Sequence, residues 1–377
     1  MTGALAGLRI VEFEGLGPGP FAAMWLADMG AEVICIQRPG GADVPGVPDR
    51  SILNRGKKTI ALDLKAPADI DVVRALVASA DGLIEGFRPG VMERLGLGPD
   101  DAHALNARLV YGRMTGWGQT GPRAARAGHD LNYIALSGAL WYAGLPGQPP
   151  VTPATLVGDI GGGAMYLVAG MLAGLLRAGR SGQGTVVDAA IVDGSAHMLA
   201  LLMSMAPAGM LAEARGASLL DGPHWSRSYA CKGGGFISVQ CLEAKFYADF
   251  LAVLGLSDDA DFARQYDPAT WPRATERLAA LFDERPRDDW AARFAETDAC
   301  VAPVLSPWEA AQDPHLAARA SWIAPDGALQ PAPAPRLSDA APEPEPAPAP
   351  KPAAIPARDA HRDAVLADLR ARGLLGG

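Results

Sequence analysis

Leu8-Arg9-Ile10-Val11-Glu12-Phe13, Gly15-Leu16-Gly17-Pro18-Gly19-Pro20, then residues 21–28 and Glu32-Val33-Ile34-Cys35-Ile36-Gln37 follow one another at the start of the chain. The two apolar runs have the length and β-branched character of strands, the Gly/Pro cluster is a tight turn, and residues 21–28 have helical spacing. Together they read as a βαβ unit with parallel strand pairing. Strand-like runs recur at 59–62, 82–85 and 109–113, with a helical stretch at 71–80, so the first half of the chain is expected to be α/β.

A further strand is expected at 184–191, leading into a helix that continues through His197 to residue 205. Gly and Ala dominate 206–223, which reads as a linker. Residues 224–323 hold a second, smaller α/β-type region, with a strand at 235–241 and helical spacing at 245–254, 273–282 and 288–296. Residues 331–356 are mostly Pro, Ala and Glu, an extended connector. Residues 357–372 carry Val365, Leu366 and Leu369 on one face and stop at Gly373, as a terminal helix docked on the body would. The expected boundaries are 1–205, 206–223, 224–323 and 324–377.

The 377 residues are 49% hydrophobic and 20% charged, enough to bury one large core and a smaller one. A net charge of −9 argues against a general nucleic-acid binder, yet Arg38, Arg50, Arg55, Lys57, Lys58 and Lys65 gather cations early in the chain and suggest a local anion site. Cys35, Cys231, Cys241 and Cys300 have neither C-x-x-C spacing nor a histidine grouping, so reduced thiols and no metal site are expected. No export signal is visible, and the apolar run 164–176, interrupted by Gly170 and Gly174, is shorter than the roughly 20 residues of a bilayer span. A soluble, cytoplasmic protein without a membrane partner is the expectation.

The glycine-rich turn after the first strand invites a dinucleotide reading, but Pro18 and Pro20 remove two N–H donors that a pyrophosphate would need. Arg38, after the second strand, stands where an NAD site would want a carboxylate. It suits a phosphorylated ribose, found in NADP and in coenzyme A alike. Spacing alone does not separate the two; the chain offers an acid/base pair and no nicotinamide platform.

That pair is His129, in Ala127-Gly128-His129-Asp130-Leu131-Asn132-Tyr133, and Asp159, in Val157-Gly158-Asp159-Ile160-Gly161-Gly162-Gly163. Taken singly, each has an ordinary structural use, a histidine at a helix entry and an N-cap aspartate. Held on opposite sides of one carbon, an imidazole and a carboxylate could remove a proton from one face and return it to the other. The N–H groups around Gly158 to Gly163 are expected to stabilise the enolate between those two events.

Met114-Thr115-Gly116-Trp117-Gly118-Gln119-Thr120-Gly121-Pro122, the His129 and Asp159 segments, Asn54-Arg55-Gly56-Lys57-Lys58, Glu85-Gly86-Phe87-Arg88-Pro89-Gly90 and Asp298-Ala299-Cys300-Val301-Ala302-Pro303-Val304 together resemble the α-methylacyl-CoA racemases of the family III CoA-transferase (CaiB/BaiF) superfamily. The resemblance covers the chain to about residue 310. It implies an α/β fold with a large Rossmann-like domain and a small domain in an interlocked homodimer. It also implies a thioester racemase in which His129 and Asp159 serve the two faces of the α-carbon. Glu243 aligns with a glutamate that approaches the histidine from the partner subunit. CoA contacts are implied at Arg38, at Leu62, Asp63, Leu64 and Lys65, at Gly86, Phe87 and Arg88, at Arg94, and at Gly128, Asp130, Leu131, Asn132 and Tyr133. CoA is then part of the substrate, and no further cofactor is called for.

The chain departs from that pattern at Pro223-His224-Trp225-Ser226-Arg227-Ser228-Tyr229 and at Gln240-Cys241-Leu242-Glu243-Ala244-Lys245, which bear on the acyl group. His224 is expected in a turn or at the surface and His197 in the core or at an interface. His103, His315 and His361 have no supporting neighbours. Two other uses of the site remain open: a CoA-transferase in which Asp159 attacks a thioester as nucleophile, and a CoA-binding protein without chemistry.

Overall fold

A computed structural model describes residues 3–41, 51–325, 327–337 and 353–376. Arg50 and residues 338–352 of the expected connector lie outside the described residues. The chain forms two units. The larger takes in the described residues of Met1–Ala139, Pro153–Met198 and Pro314–Gly377, the smaller Leu140–Thr152 and Leu199–Asp313.

The larger unit is built on β1 (Arg9–Phe13), β2 (Glu32–Gln37), β3 (Lys58–Ala61), β4 (Gly82–Glu85), β5 (Val110–Thr115) and β6 (Thr185–Ala190). All are parallel, in the order β3-β2-β1-β4-β5-β6, so the expected α/β fold holds. Successive strand residues enter opposite cores. Val11, Leu83 and Tyr111 face a layer containing α2 (Pro67–Ser79), whose Val73, Leu76 and Val77 are buried. Ile10, Ile84 and Val110 face α1 (Pro18–Asp28) and a long helix toward the end of the unit. Burial on both faces explains why these strands are continuously apolar rather than alternating.

That long helix runs from Leu156 to Ser181, a π-helical stretch over Leu156–Ala164 continuing as an α-helix over Met165–Ser181. It is longer than the apolar run 164–176 suggests and, by length and composition, long enough to cross a membrane, as is Ile191–Ala208. Its role in the fold is that of a core helix: Leu167, Val168 and Met171 are buried against the sheet, and Gly170 and Gly174 leave room for Val187 and Val110. The terminal helix Arg362–Ala371 buries Val365 and Leu369 in the α2 layer, and Asp368 pairs with Arg9 at 2.8 Å.

The smaller unit has an antiparallel sheet, β7 (Ser226–Ala230), β8 (Phe236–Gln240) and β9 (Val301–Val304), in chain order. Helices Ala244–Leu254, Trp271–Phe282 and Arg287–Phe294 cover it around an aromatic core of Trp225, Phe250, Phe262, Phe282, Trp290 and Phe294. The segment expected as a linker is folded into this unit. Asp221 accepts the N–H groups of Gly216 and Ser218, both at 2.8 Å, and Leu219 N–H donates to Met210 O at 2.9 Å. His224 is fully buried rather than in a surface turn, with Nε2 2.7 Å from the Tyr247 hydroxyl. Burial disfavours its imidazolium, and its pKa falls to about 4.

Candidate active site

The strand order reverses between β1 and β4, and in open parallel sheets the loops leaving the strands at such a point diverge and leave a crevice. Here the crevice is a cavity of about 420 Å³. Its walls are the turn after β1 (Gly15 to Pro20), the segment Gly86 to Pro89 after β4, and the chain after β5, including Trp117, Arg126 and Gly128. Two glycines make the packing possible. Gly17 has φ 65°, a conformation open to glycine, and a Cβ there would lie 3.2 Å from Asp159 Oδ2. A Cβ on Gly116 would lie 1.9 Å from the Tyr133 ring. Tyr133 in turn donates its hydroxyl proton to Gly128 O and meets Trp117 edge to face at 4.7 Å. The loop that carries His129 is thereby fixed from beneath.

His129 is the N-cap residue of the helix Asp130–Ser137, which we label α3, and its N–H donates to Asn132 Oδ1 at 3.0 Å. His129 is exposed and lines the cavity together with Asp159. Asp159 lies in the π-helical stretch, which starts after Thr155 at φ 63°, an uncommon conformation for a β-branched residue. Asp130 fastens this start: its Oδ1 accepts Asp159 N–H at 2.8 Å and its Oδ2 accepts Thr155 N–H at 3.3 Å. Partial burial, then the Asp130 charge, push the Asp159 carboxyl up to about 6, while His129 acts in the opposite sense. A carboxyl in this range is ionised at neutral pH yet close enough to it to give back a proton.

The backbone of Gly158 to Gly163 is not the row of free donors expected from the sequence. Asp159 N–H is held by Asp130, and Ile160 N–H donates to Thr155 O at 3.0 Å, the five-residue step of a π-helix. The glycines serve close packing instead. A Cβ on Gly162 would lie 2.2 Å from Ser195 Oγ and one on Gly194 1.9 Å from Gly162 O, so this stretch and α4 (Ile191–Met198) touch backbone to backbone. The first turn of α1, with Gly19 between Pro18 and Pro20, is the other helix start that lines the cavity.

The family model described as CoA-transferase family III matches residues 5–362. The chain belongs to CoA-transferase family III. It is 40% identical over 333 residues to the alpha-methylacyl-CoA racemase of Mus musculus, which spans 88% of this chain and 85% of that protein. It is 39% identical over 337 residues to the alpha-methylacyl-CoA racemase of Homo sapiens, covering 89% and 86%. The solved structure of a CAIB/BAIF family protein from Brucella suis superposes with a TM-score of 0.79 at 28% identity, covering 98% of this chain and all (100%) of that one.

Of the residues that the family resemblance singles out, Gly86, Phe87, Arg88, Gly128 and Tyr133 line the cavity with His129 and Asp159. Arg38 follows β2, Leu62, Asp63, Leu64 and Lys65 follow β3, and Arg94 ends the short helix Val91–Arg94; these line the same carboxyl edge of the sheet but not the cavity. Leu62 is buried in the α2 layer, so only its backbone faces that edge. The Asp130 and Asn132 side chains are engaged by backbone N–H groups, and Leu131 is exposed. Glu243 belongs to the smaller unit, at the N-cap position of the helix Ala244–Leu254, where its side chain makes no capping bond. The early cations do not form one site. Arg55 is paired with Asp28 at 2.6 Å, Lys57 is buried with Glu12 at 2.6 Å, and Lys58 pairs with Glu32. The turn Gly15 to Pro20, weighed from the sequence only as a dinucleotide loop, is part of the cavity wall, and Trp117 and Arg126 are cavity residues that the sequence reading did not assign to the site. Trp117 stands in a family motif that could have given it away; Arg126 lies in an Ala/Arg run that carries no signal.

Proposed function

We propose that this protein racemises or epimerises 2-methylacyl-CoA thioesters, with His129 and Asp159 exchanging the α-proton on opposite faces of an enolate. The observation that carries the reading is the meeting of these two side chains in one crevice at the switch point, with the carboxyl raised to about 6. A thioester α-proton is far less acidic than either base is basic. General-base positioning is worth roughly 10²–10⁴ in rate, so an enolate-stabilising dipole is needed as well, and the start of α1 is placed to supply it. The apolar Phe13, Met114, Trp117 and Ile191 suit the acyl chain. CoA would run outward from Gly86 to Arg88 along the carboxyl edge, past Arg94, toward Lys65 and Arg38. No cofactor beyond the substrate's own CoA is called for.

A homodimer completes the reading. Met165 and Leu176 are 49% and 62% exposed and lie about three turns apart on one side of the long helix, an apolar stripe that a second copy of the chain would cover. Glu243 of such a partner would orient the His129 imidazole. The test is incubation with a single enantiomer of a 2-methylacyl-CoA in D₂O. Racemisation with α-deuterium uptake is expected; transfer of CoA to a free carboxylic acid without α-exchange would make Asp159 a nucleophile and the protein a transferase.

A further inference from the structure

Arg55 and Lys57, expected from the sequence to belong to an anion site, are buried and grip the two ends of α1. At the far end Arg55 forks onto Asp28, Nε to Oδ1 at 3.0 Å and Nη2 to Oδ2 at 2.6 Å. At the start Lys57 Nζ donates to Pro20 O at 3.1 Å and to Glu12 Oε2 at 2.6 Å, and neither side chain of that ion pair is more than 1% exposed. Glu12 stands two residues after Ile10 on β1, on the face turned to α1. Between the two grips, a Cβ on Gly56 would lie 3.6 Å from that of Ala27. The three residues Arg55-Gly56-Lys57 thus run along α1 from its end to its start.

The start needs such support. Gly17 offers no capping side chain, Pro18 and Pro20 bring no N–H, and Phe21 N–H closes the first turn on Gly17 O at 3.1 Å. The same turn is the wall beside Asp159: a Cβ on Gly17 would lie 3.2 Å from Asp159 Oδ2, and one on Gly163 would lie 3.4 Å from Pro18 Cβ. A small movement of α1 along its axis would open this wall to water.

We infer that Lys57 is a positioning residue of the reaction, holding the start of α1 against Asp159 through Pro20 O. The inference rests on the reading above, in which Asp159 is a base at the α-carbon. A buried ion pair adds little net stability over apolar side chains of similar size, so a pair kept beneath a helix start is better explained by what it fixes in place. The charged groups acting on the Asp159 carboxyl are Asp130 and His129, with the Tyr133 hydroxyl nearby, and the turn Gly15 to Pro20 adds no charge of its own. The turn acts on Asp159 by excluding water.

The test is the pH dependence of racemisation by the full chain, with kcat and KM referred to folded protein by circular dichroism. Lys57→Met should lower kcat by roughly 10- to 100-fold, the scale of a misplacement of about 1 Å, with KM nearly unchanged. The acid limb of kcat/KM should move to lower pH, because water reaching Asp159 favours its charged form. Loss of the Lys57 charge acting at a distance would move the limb to higher pH, and that result would overturn the inference. Should Lys57→Met not fold, with Glu12 left buried and unpaired, Glu12→Met combined with Lys57→Met replaces the pair by apolar groups. The double variant still lacks the donor to Pro20 O and must show the same low kcat and the same shifted limb. If the folded variant keeps the wild-type kcat, or loses kcat with an unmoved limb, Lys57 merely supports the fold and the inference fails while the role of Asp159 stands. If the wild type takes up no α-deuterium in D₂O, the reading of Asp159 fails first and takes the inference with it.

Discussion

Asp159 is an acid kept where its charge is disfavoured, by partial burial and by the carboxylate of Asp130, and its pKa near 6 follows from that placement. Its folded pKa lies above the ordinary value of 3.8, so the folded protein binds more protons than the unfolded chain between those two values. Stability therefore falls as pH rises through that window, and the ionised base is held at some expense to the fold. Asp130→Asn keeps an oxygen for Asp159 N–H and removes the neighbouring charge. The acid limb of kcat/KM, measured with the enantiomer whose α-hydrogen faces Asp159, should move to lower pH; an unmoved limb would leave Asp130 a purely structural clamp. The acid/base pair was legible in the sequence because each member stands in a glycine-flanked family motif. Asp130's clamp was not, since its partners Thr155 and Asp159 are 25 and 29 positions away. His224 misled for a related reason: its Pro223 neighbour reads as a turn, while the aromatic rings that meet it edge to face come from Tyr247 and Phe262.

The π-helical stretch is where local sequence and local structure part company. Its apolar residues and glycines fit an α-helix start equally well, and hydrophobic periodicity does not separate a five-residue hydrogen-bond step from a four-residue one. What selects it is contact between elements: Gly162 against Ser195 and Gly194 of α4, and Asp130 of α3 closing on its first turn. Gly162→Ala should destabilise the protein by about 1–3 kcal/mol, the typical range for overpacking, and should lower racemisation beyond the loss of folded protein because Asp159 moves with its helix. Thermal melting read beside the activity of the remaining folded fraction checks this. Normal activity per folded molecule would mean that the stretch does not position Asp159. By contrast α1 was legible, although it begins at Pro18, within the turn as read, because proline is well suited to the first helical position.

At the scale of the whole molecule, the parallel sheet and its crevice follow from the first βαβ unit, and that unit could be read directly. A terminal helix docked on the body was expected from Val365, Leu366 and Leu369 on one face; the hydrogen bonds of residues 357–361 to β2 and β3 were not legible, because no periodicity ties that segment to any strand. The proposed dimer allows a further test. Glu243 is proposed to act on the partner's His129, so in a symmetric dimer each site draws on both chains. His129→Ala and Glu243→Ala subunits, each inactive or weak alone, should regain roughly a quarter of wild-type activity when assorted at random, since half the dimers are mixed and each has one intact site. No recovery would place both residues in the same chain's site. The most direct test of the two-base claim is α-hydrogen exchange in D₂O, run with each enantiomer of a 2-methylacyl-CoA and with His129→Ala and Asp159→Asn separately. Each variant should exchange one enantiomer only, opposite to the other variant's, and neither should racemise; exchange of both enantiomers by either variant, or racemisation surviving in both, would contradict the account.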